Sequence, residues 1–534
     1  IAEAELVQSL LRHGRYDRYY FLWPAAGTIE RARSRLADYP HGERAALIGI
    51  DDLTAIADRE RLMLMTESAL IDRLVPLRQG PARAAWPVSG FTHAFSARQC
   101  LPECLVLMMG ELYEHDSLIC TSTAAKRALQ NVFDQLSADL ARRFGQTINF
   151  RGRLPVIPFG TDAASVRRDD PRACRDRMGI PHDAVVFLSL GRFSPAYKAD
   201  LCPLILHFSE VARAFPDVVL VLAGDDTQHR MAPGLEAWAA SLGIAGRVII
   251  KPNVTRRDKA TLYDASDVFI AVADSVQETF GLTLIEAMAH GLPIIASDWD
   301  GYRDTVDHGR TGFLVPTWWD ASTIDPVTCG VMDDAMAHWM LGQSVCVDWR
   351  CFRHHLTALR ENPDLRRRLG DNARQRALDC YDWPVVIRRY EDLWDEQVAA
   401  GAARIDTHPN VGRGLHEFDR RSIFAQYATE RGGGATLLRL TALGRRFVTT
   451  GSPGPAATPD TTMFDAGLAW TMTAMGESAV MGEDGAAIEM GELVAHLGSH
   501  LGTHLGTQLG DTTDRISRSV VRLVKYGILE RVPC

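Results

Sequence analysis

Glu278 and Glu286 stand eight positions apart in the stretch 274–301, DSVQETFGLTLIEAMAHGLPIIASDWDG. Between them, Phe280-Gly281-Leu282-Thr283 reads as a loop turning into a helix. A helix start leaves backbone N–H groups without intrahelical partners, and those groups attract anions. The amides of Gly281, Leu282 and Thr283 are therefore placed to hold a phosphate. One carboxylate precedes the helix start and the other lies about one turn inside it. Carboxylates on either side of a bound phosphate can grip hydroxyl groups, which is the combination a sugar nucleotide needs. Glu286 sits within the apolar run LTLIEAMAH. An unpaired buried charge is expensive, and a diol ligand would satisfy it.

Upstream, Gly191-Arg192 follows the apolar run VVFLSL, and Lys198 and Asp200 come a few residues later. Loops at the carboxyl ends of parallel strands are where open α/β sheets bind ligands. Arginine suits a bidentate phosphate contact and lysine a point contact. Arg192 and Lys198 could thus neutralise a departing diphosphate without a metal ion.

These segments resemble the retaining glycosyltransferases of the two-lobed GT-B fold, the family-4 type (glycosyl transferases group 1), with their two glutamates separated by seven residues. The likeness runs through Leu190-Gly191-Arg192-Phe193 and Lys198, VVLVLAG ending at Gly224, YDASDVFIAVAD ending at Asp274, and AMAHGLPIIASDWDGYRDTVDHGRTGFLV. It covers roughly residues 90–398. The resemblance implies a transferase of the EC 2.4 class that uses a nucleoside-diphosphate sugar as donor substrate, with no tightly bound cofactor and no metal. It implies that Glu286 grips the nucleotide ribose and that Glu278 binds hydroxyls of the donor sugar. Glu278 is not expected to act as a nucleophile. Front-face substitution is favoured, with the departing phosphate taking the acceptor's proton. His93, in PVSGFTHAFS, resembles the family histidine near the anomeric centre. The expected catalytic set is His93, Glu278, Arg192 and Lys198. The nucleotide set is Gly191, Arg192, Lys198, Gly281, Leu282, Thr283 and Glu286. Asp200 is a candidate to orient Lys198, and Asp274 to orient the Glu278 loop.

The elements that must position these residues form an α/β chain. The expected fold is GT-B, two Rossmann-like lobes, plus a small C-terminal winged-helix-like domain. Residues 1–160 read as the first lobe, completed by 381–400. The strand and glycine loop that normally open such a lobe are missing from its start and are expected to precede Ile1. Within it, ALIGI, AAWPVSG and SLICTS read as strands, a helix is expected around Glu60–Leu74, and TAAKRALQNVFDQLSADLARRFG reads as a long helix. Residues 161–380 read as the donor lobe, with apolar strands VVFLSL, VVLVLAG, RVII, VFIAV, PIIAS and GFLV. Such runs describe a parallel sheet buried on both faces.

Residues 401–460 read as a linker and small extension, and 461–534 as the winged-helix-like domain. Ile516, Val520 and Leu523 recur at helical spacing before the strand-like ILERV. Arg515, Arg518, Arg522 and Lys525 make a basic stripe. The segment 461–534 nevertheless holds nine acidic and five basic residues, net −4. That is the wrong sign for a phosphate-backbone binder, so a protein or peptide contact is favoured over nucleic acid. In HLGSHLGTHLGTQLG the Leu-Gly repeat leaves helix and loop both open, because each glycine costs a helix about 1 kcal/mol. His496, His500 and His504 have helical spacing, but the repeat alone produces it.

The 534 residues allow three ordinary domains. The net charge of −9 argues against general nucleic-acid binding, and no apolar run is long enough to span a membrane. Ten scattered cysteines, without a CxxC, suit reduced thiols in a cytoplasmic protein. A glycan, protein or peptide acceptor is preferred to a lipid, since no strong basic amphipathic face is visible. A homodimer through the tail is a candidate assembly, and the sequence does not fix the oligomeric state. The competing reading is a non-catalytic GT-B scaffold whose C-terminal domain mediates protein interaction.

Overall fold

The computed structural model describes residues 2–22, 39–48, 62–66, 69–78, 86–92, 96–319, 332–403, 423–427, 433–450, 487–505 and 528–532, with positions 33, 34, 53, 56, 516, 517, 520, 521, 523 and 524. It divides into two compact units. One comprises 1–19, 39–44 and 55–417; the other comprises 20–38, 45–54 and 418–534. Strands β1 (Tyr19–Leu22) and β2 (Ala45–Ile48) pair as a two-stranded ribbon.

The larger unit is α/β and GT-B-like, with two Rossmann-like lobes. In the first lobe, β3 (Leu64–Thr66), β4 (Val88–Phe91) and β5 (Ser117–Ile119) form a parallel sheet in the order β3-β4-β5. Among the described residues the helix expected around Glu60–Leu74 does not form. Leu64–Thr66 is a strand, and Ile71–Arg78 is a 3₁₀ helix containing Pro76. The reason is tertiary: Leu64, Met65 and Thr66 pair with Val88, Ser89 and Gly90, and pairing of this kind overrides local helix propensity. Ser122 caps the long helix Thr123–Phe144 through Ala125 N, and Gly145 ends it at a left-handed φ of 68°.

The second lobe carries β6 (Val185–Leu190), β7 (Val218–Gly224), β8 (Val248–Pro252), β9 (Val268–Ala271), β10 (Ile294–Ser297) and β11 (Gly312–Val315). They pair in parallel in the order β11-β10-β9-β6-β7-β8. Side chains alternate across a strand. Val186, Leu188, Val219, Val221 and Phe269 accordingly enter one core, while Phe187, Leu220, Leu222, Val268 and Ile270 enter another. All seven residues of β7 are buried. Two cores on two faces account for the continuous apolar runs. The chain winds outward from β6 to β8, then returns to place β9 on the other side of β6. That reversal opens a crevice beyond the carboxyl ends of β6 and β9, the usual ligand position in such sheets.

A hairpin of β12 (Thr317–Trp319) and β13 (Val345–Val347) follows β11, with helix Asp334–Gln343 between its strands. Helix Trp383–Ala402 then packs on helix Ala2–His13, with Leu6 and Leu10 in one core with Val386, Tyr390 and Trp394. The buried Glu391 accepts from Arg15 N and Tyr19 OH, each at 2.8 Å. Gly160 is required at the lobe crossing, because a Cβ there would lie 2.6 Å from the Trp383 ring.

The smaller unit has a three-stranded antiparallel sheet, with β14 (Leu437–Leu440) between β15 (Ile488–Glu489) and β16 (Leu529–Arg531). Its central strand lies in the 401–460 stretch. Leu438, Leu440, Leu493, Leu497, Ile516, Val520 and Leu523 form its core. The Leu-Gly repeat is helical as far as Leu505. Gly498 packs there: a Cβ would lie 3.7 Å from Ile516 Cδ1. The side chains of His500 and His504, those of the basic stripe, and the turn-rich stretch 451–462 lie outside the described residues.

Candidate active site

The loop after β6 and the loop after β9 meet in the crevice created by the sheet's reversal. A cleft open to solvent is lined by Gly191, Arg192, Lys198, Thr283 and Tyr302, with β6 and β9 as its floor. Lys198 donates to Glu278 Oε2 at 2.7 Å. Tyr302 OH donates to the same oxygen at 3.2 Å, and the amides of Thr279 and Phe280 donate to Oε1 at 3.2 and 3.4 Å. Burial pushes the Glu278 carboxyl up, but Lys198, the Phe280 amide and Tyr302 outweigh it, so its pKa is lowered. Glu278 is thus a buried, ionised carboxylate with a cation beside it.

The helix Leu282–Ala289 starts at Gly281 without a side-chain cap. Gly281 holds φ at 91°, and a Cβ there would lie 2.4 Å from the Tyr302 ring. Only glycine fits both demands. The uncapped start leaves N–H groups for an anion beside Lys198 and Arg192. Arg192 is exposed, with its guanidinium 5.9 Å from the Tyr197 ring centroid.

Glu286 lies one turn along the same helix. Its partners are Lys259 and Tyr263, both from helix Arg256–Ala265. Lys259 Nζ lies 2.6 Å from Oε1 and 2.5 Å from Oε2, and Tyr263 OH lies 2.8 Å from Oε2. Tyr263 also donates to Thr283 O at 3.3 Å, tying the two helices at the cleft.

The structure therefore brings Gly191, Arg192, Lys198, Gly281, Leu282, Thr283, Glu278 and Glu286 to neighbouring loops and one helix start. His93 lies outside the described residues. Asp200 caps helix Leu201–Ala214 through Cys202 N at 3.0 Å, and it is Glu278 that holds the Lys198 ammonium. Asp298 pairs with Arg303 at 2.7 Å. Asp274 accepts from Asp200 N at 3.4 Å, and burial raises its pKa to about 7. Lys259, Tyr263 and Tyr302 were not anticipated. The spacing Lys259-x3-Tyr263 places both on one helix face, a legible signal. Nothing in the sequence marks Tyr302.

Asp300 was also missed. Its φ is 50°, left-handed for a residue with a Cβ, and its buried Oδ2 has no hydrogen-bond partner among the described residues. Burial, with Glu278 nearby, pushes its pKa to about 8. Its unfolded value is near 3.8, so between pH 4 and pH 8 the folded form keeps a proton that the unfolded chain has lost. Stability therefore falls as pH rises through that window. Asp300→Asn keeps a residue that tolerates left-handed backbone. It should match the parent's melting temperature near pH 4 and exceed it at pH 8, by about 2–4 °C for each kcal/mol recovered. Parallel melting curves for both proteins from pH 4 to 8.5 would reject this if they are the same distance apart throughout.

Among the described residues, one group could gather around a metal ion: Asp169, Cys174 and Asp264. Asp264 already accepts from Asp169 N at 3.1 Å and meets His290 at 2.7 Å.

Residues 172–324 match the family model of Glycosyl transferases group 1. A D-inositol 3-phosphate glycosyltransferase of Streptomyces avermitilis is 28% identical over 290 residues, 53% of this chain and 55% of that protein. A second protein of that description, from Catenulispora acidiphila, is 35% identical over 198 residues, 36% of this chain and 44% of its own length. The chain spans about half the length of the curated relatives it matches. A crystal structure of Anabaena HepE in complex with UDP aligns over 74% of this chain and 96% of that one, at 18% identity and a TM-score of 0.49.

Proposed function

We propose that this chain, which carries a glycosyl transferases group 1 lobe, is a retaining glycosyltransferase. It moves a hexose-type sugar from a nucleoside-diphosphate sugar to a hydroxyl of a glycan, protein or peptide. The observation that carries the reading is the junction of Lys198 with Glu278 beside the uncapped helix start at Gly281. Lys198, Arg192 and the amides of Leu282 and Thr283 take the diphosphate. Glu278 holds donor-sugar hydroxyls and Glu286 the ribose. As the glycosidic bond breaks, positive groups face the growing phosphate charge, where fixed electrostatics lower a barrier most. The acceptor hydroxyl attacks from the face the diphosphate leaves, and that phosphate takes its proton. His93 belongs to the proposed catalytic set.

Exposed tryptophans support a glycan or polypeptide acceptor. Trp319 packs edge-on against Trp299 at 5.7 Å, and Trp299 Nε1 donates to Ser275 O beside the Glu278 loop. Trp318, Trp319 and Trp339 are all exposed. The eight described cysteines are free, in keeping with a reducing, cytoplasmic setting. Among the described residues no helix is long and apolar enough to cross a membrane.

A panel of nucleotide sugars, assayed for hydrolysis and for transfer to inositol 3-phosphate, glycans and peptides, tests the reading. Proton NMR of the product reports the anomeric configuration. Inversion would reject the retaining mechanism. Failure of every nucleoside diphosphate to bind would reject the donor site.

Residues 461–534 are read as a winged-helix-like module for protein contact. If it carries a homodimer, light scattering should give twice the chain mass for the full protein and the single-chain mass for a version ending at Glu417. Equal oligomeric states would remove the module from the dimer contact.

A further inference from the structure

The pair of Lys259 and Glu286 is built to do more than cancel a charge. A carboxylate offers about four lone-pair directions and an ammonium three N–H donors. Lys259 reaches both oxygens of Glu286, and Tyr263 takes a further direction on Oε2. About one acceptor direction and one donor therefore remain. Tyr263 cannot swing away, because it is buried with its ring stacked on His290 at 5.0 Å. The two charged side chains are reachable, with 28% and 26% of their surface exposed. Arg256 and Glu5 pair nearby at 3.2 Å, so two cations face two anions. A balanced set of that kind suits a neutral polar ligand rather than another phosphate.

A vicinal diol matches the free donor and acceptor. One hydroxyl donates a hydrogen bond to Glu286, and the oxygen of the other accepts one from Lys259. We propose that Lys259 is a specificity-determining residue that reads one ribose hydroxyl of a nucleoside diphosphate while Glu286 reads the other. This rests on Glu286 facing the ribose, as in the function proposed above.

The test compares binding of UDP, GDP and ADP by calorimetry, then takes the tightest with its 2′-deoxy and 3′-deoxy forms. The parent protein should prefer the ribonucleotide over each deoxy form by about tenfold or more, the effect of losing a hydrogen bond to a charged group. Lys259→Met should reduce one of those two preferences to within about twofold and leave the other. Lys259→Arg should retain both in part. Glu286→Gln should weaken the preference that Lys259→Met preserves. A uniform loss for all three nucleotides, with both ratios unchanged in Lys259→Met, would make the lysine a structural partner and overturn the proposal. If Lys259→Met melts early, Lys259→Arg and Lys259→Gln carry the same ratio test. A parent that binds nucleoside diphosphate without preferring ribose overturns the diol reading alone. A parent that binds none overturns the donor site and this proposal together.

Discussion

Lys198→Ala should lower turnover of the nucleotide-sugar donor by about 100- to 1,000-fold, the range seen when one fixed group that stabilises developing negative charge is removed. The lysine lies 2.7 Å from Glu278 and lines the cleft with Arg192 and Thr283. Its charge matters most as the diphosphate departs, so kcat should fall further than affinity for an uncharged nucleoside. Removing the ammonium also leaves the buried Glu278 without its cation; because the Lys198 side chain is 34% exposed, solvent screening brings the cost below the roughly 3–5 kcal/mol of breaking a fully buried pair. Lys198→Arg restores a charge and separates the two effects. If it melts like the parent but stays as inactive as Lys198→Ala, the ammonium's own placement is what matters. Equal losses for the sugar nucleotide and the bare nucleoside would remove Lys198 from the diphosphate site.

Glu286→Ala should weaken nucleoside-diphosphate binding by about 1.5–3 kcal/mol, the worth of hydrogen bonds to a charged group. Turnover at saturating donor should change little, because the ribose is remote from the bond that breaks. Lys259 loses both of its contacts to Glu286, and Tyr263 keeps Thr283 O. The cation left behind, Lys259, is 28% exposed, whereas Lys198→Ala strands a carboxylate that is 6% exposed, so this loss should be milder for folding. Calorimetric titration of both proteins, with melting curves beside it, reads the two effects separately. Unchanged affinity in a folded variant would place the ribose elsewhere.

These variants bear on Glu278 and Glu286, whose surroundings differ although both lie on one loop-helix segment. Glu278 is buried among Lys198, Tyr302 and two amides, while Glu286 is a partly exposed carboxylate against Lys259 and Tyr263. The first arrangement suits fixed charge close to the reacting bond. The second suits exchange of protein partners for ligand hydroxyls.

The sequence by itself determined the second lobe. Its strands are predominantly apolar on both alternating sides, so they had to lie in a sheet covered on both faces, and the two separate cores follow from that. It also determined the candidate phosphate and carboxylate residues, because Gly281, Lys198, Glu278 and Glu286 fall in loops and at a helix start where local spacing carries the signal. Tertiary structure decided what the pattern leaves free. Leu64–Thr66 became a strand because β4 offered it a partner. Leu437–Leu440 became the centre of a sheet because β16, some ninety residues on, and β15 pair with its two edges. The ion pairs were hidden for the same reason: Lys198 meets Glu278 and Lys259 meets Glu286 only when the sheet reverses at β6 and β9. Distance along a chain carries no charge complementarity. Only the fold brings a cation from one helix or loop within hydrogen-bond reach of a carboxylate on another.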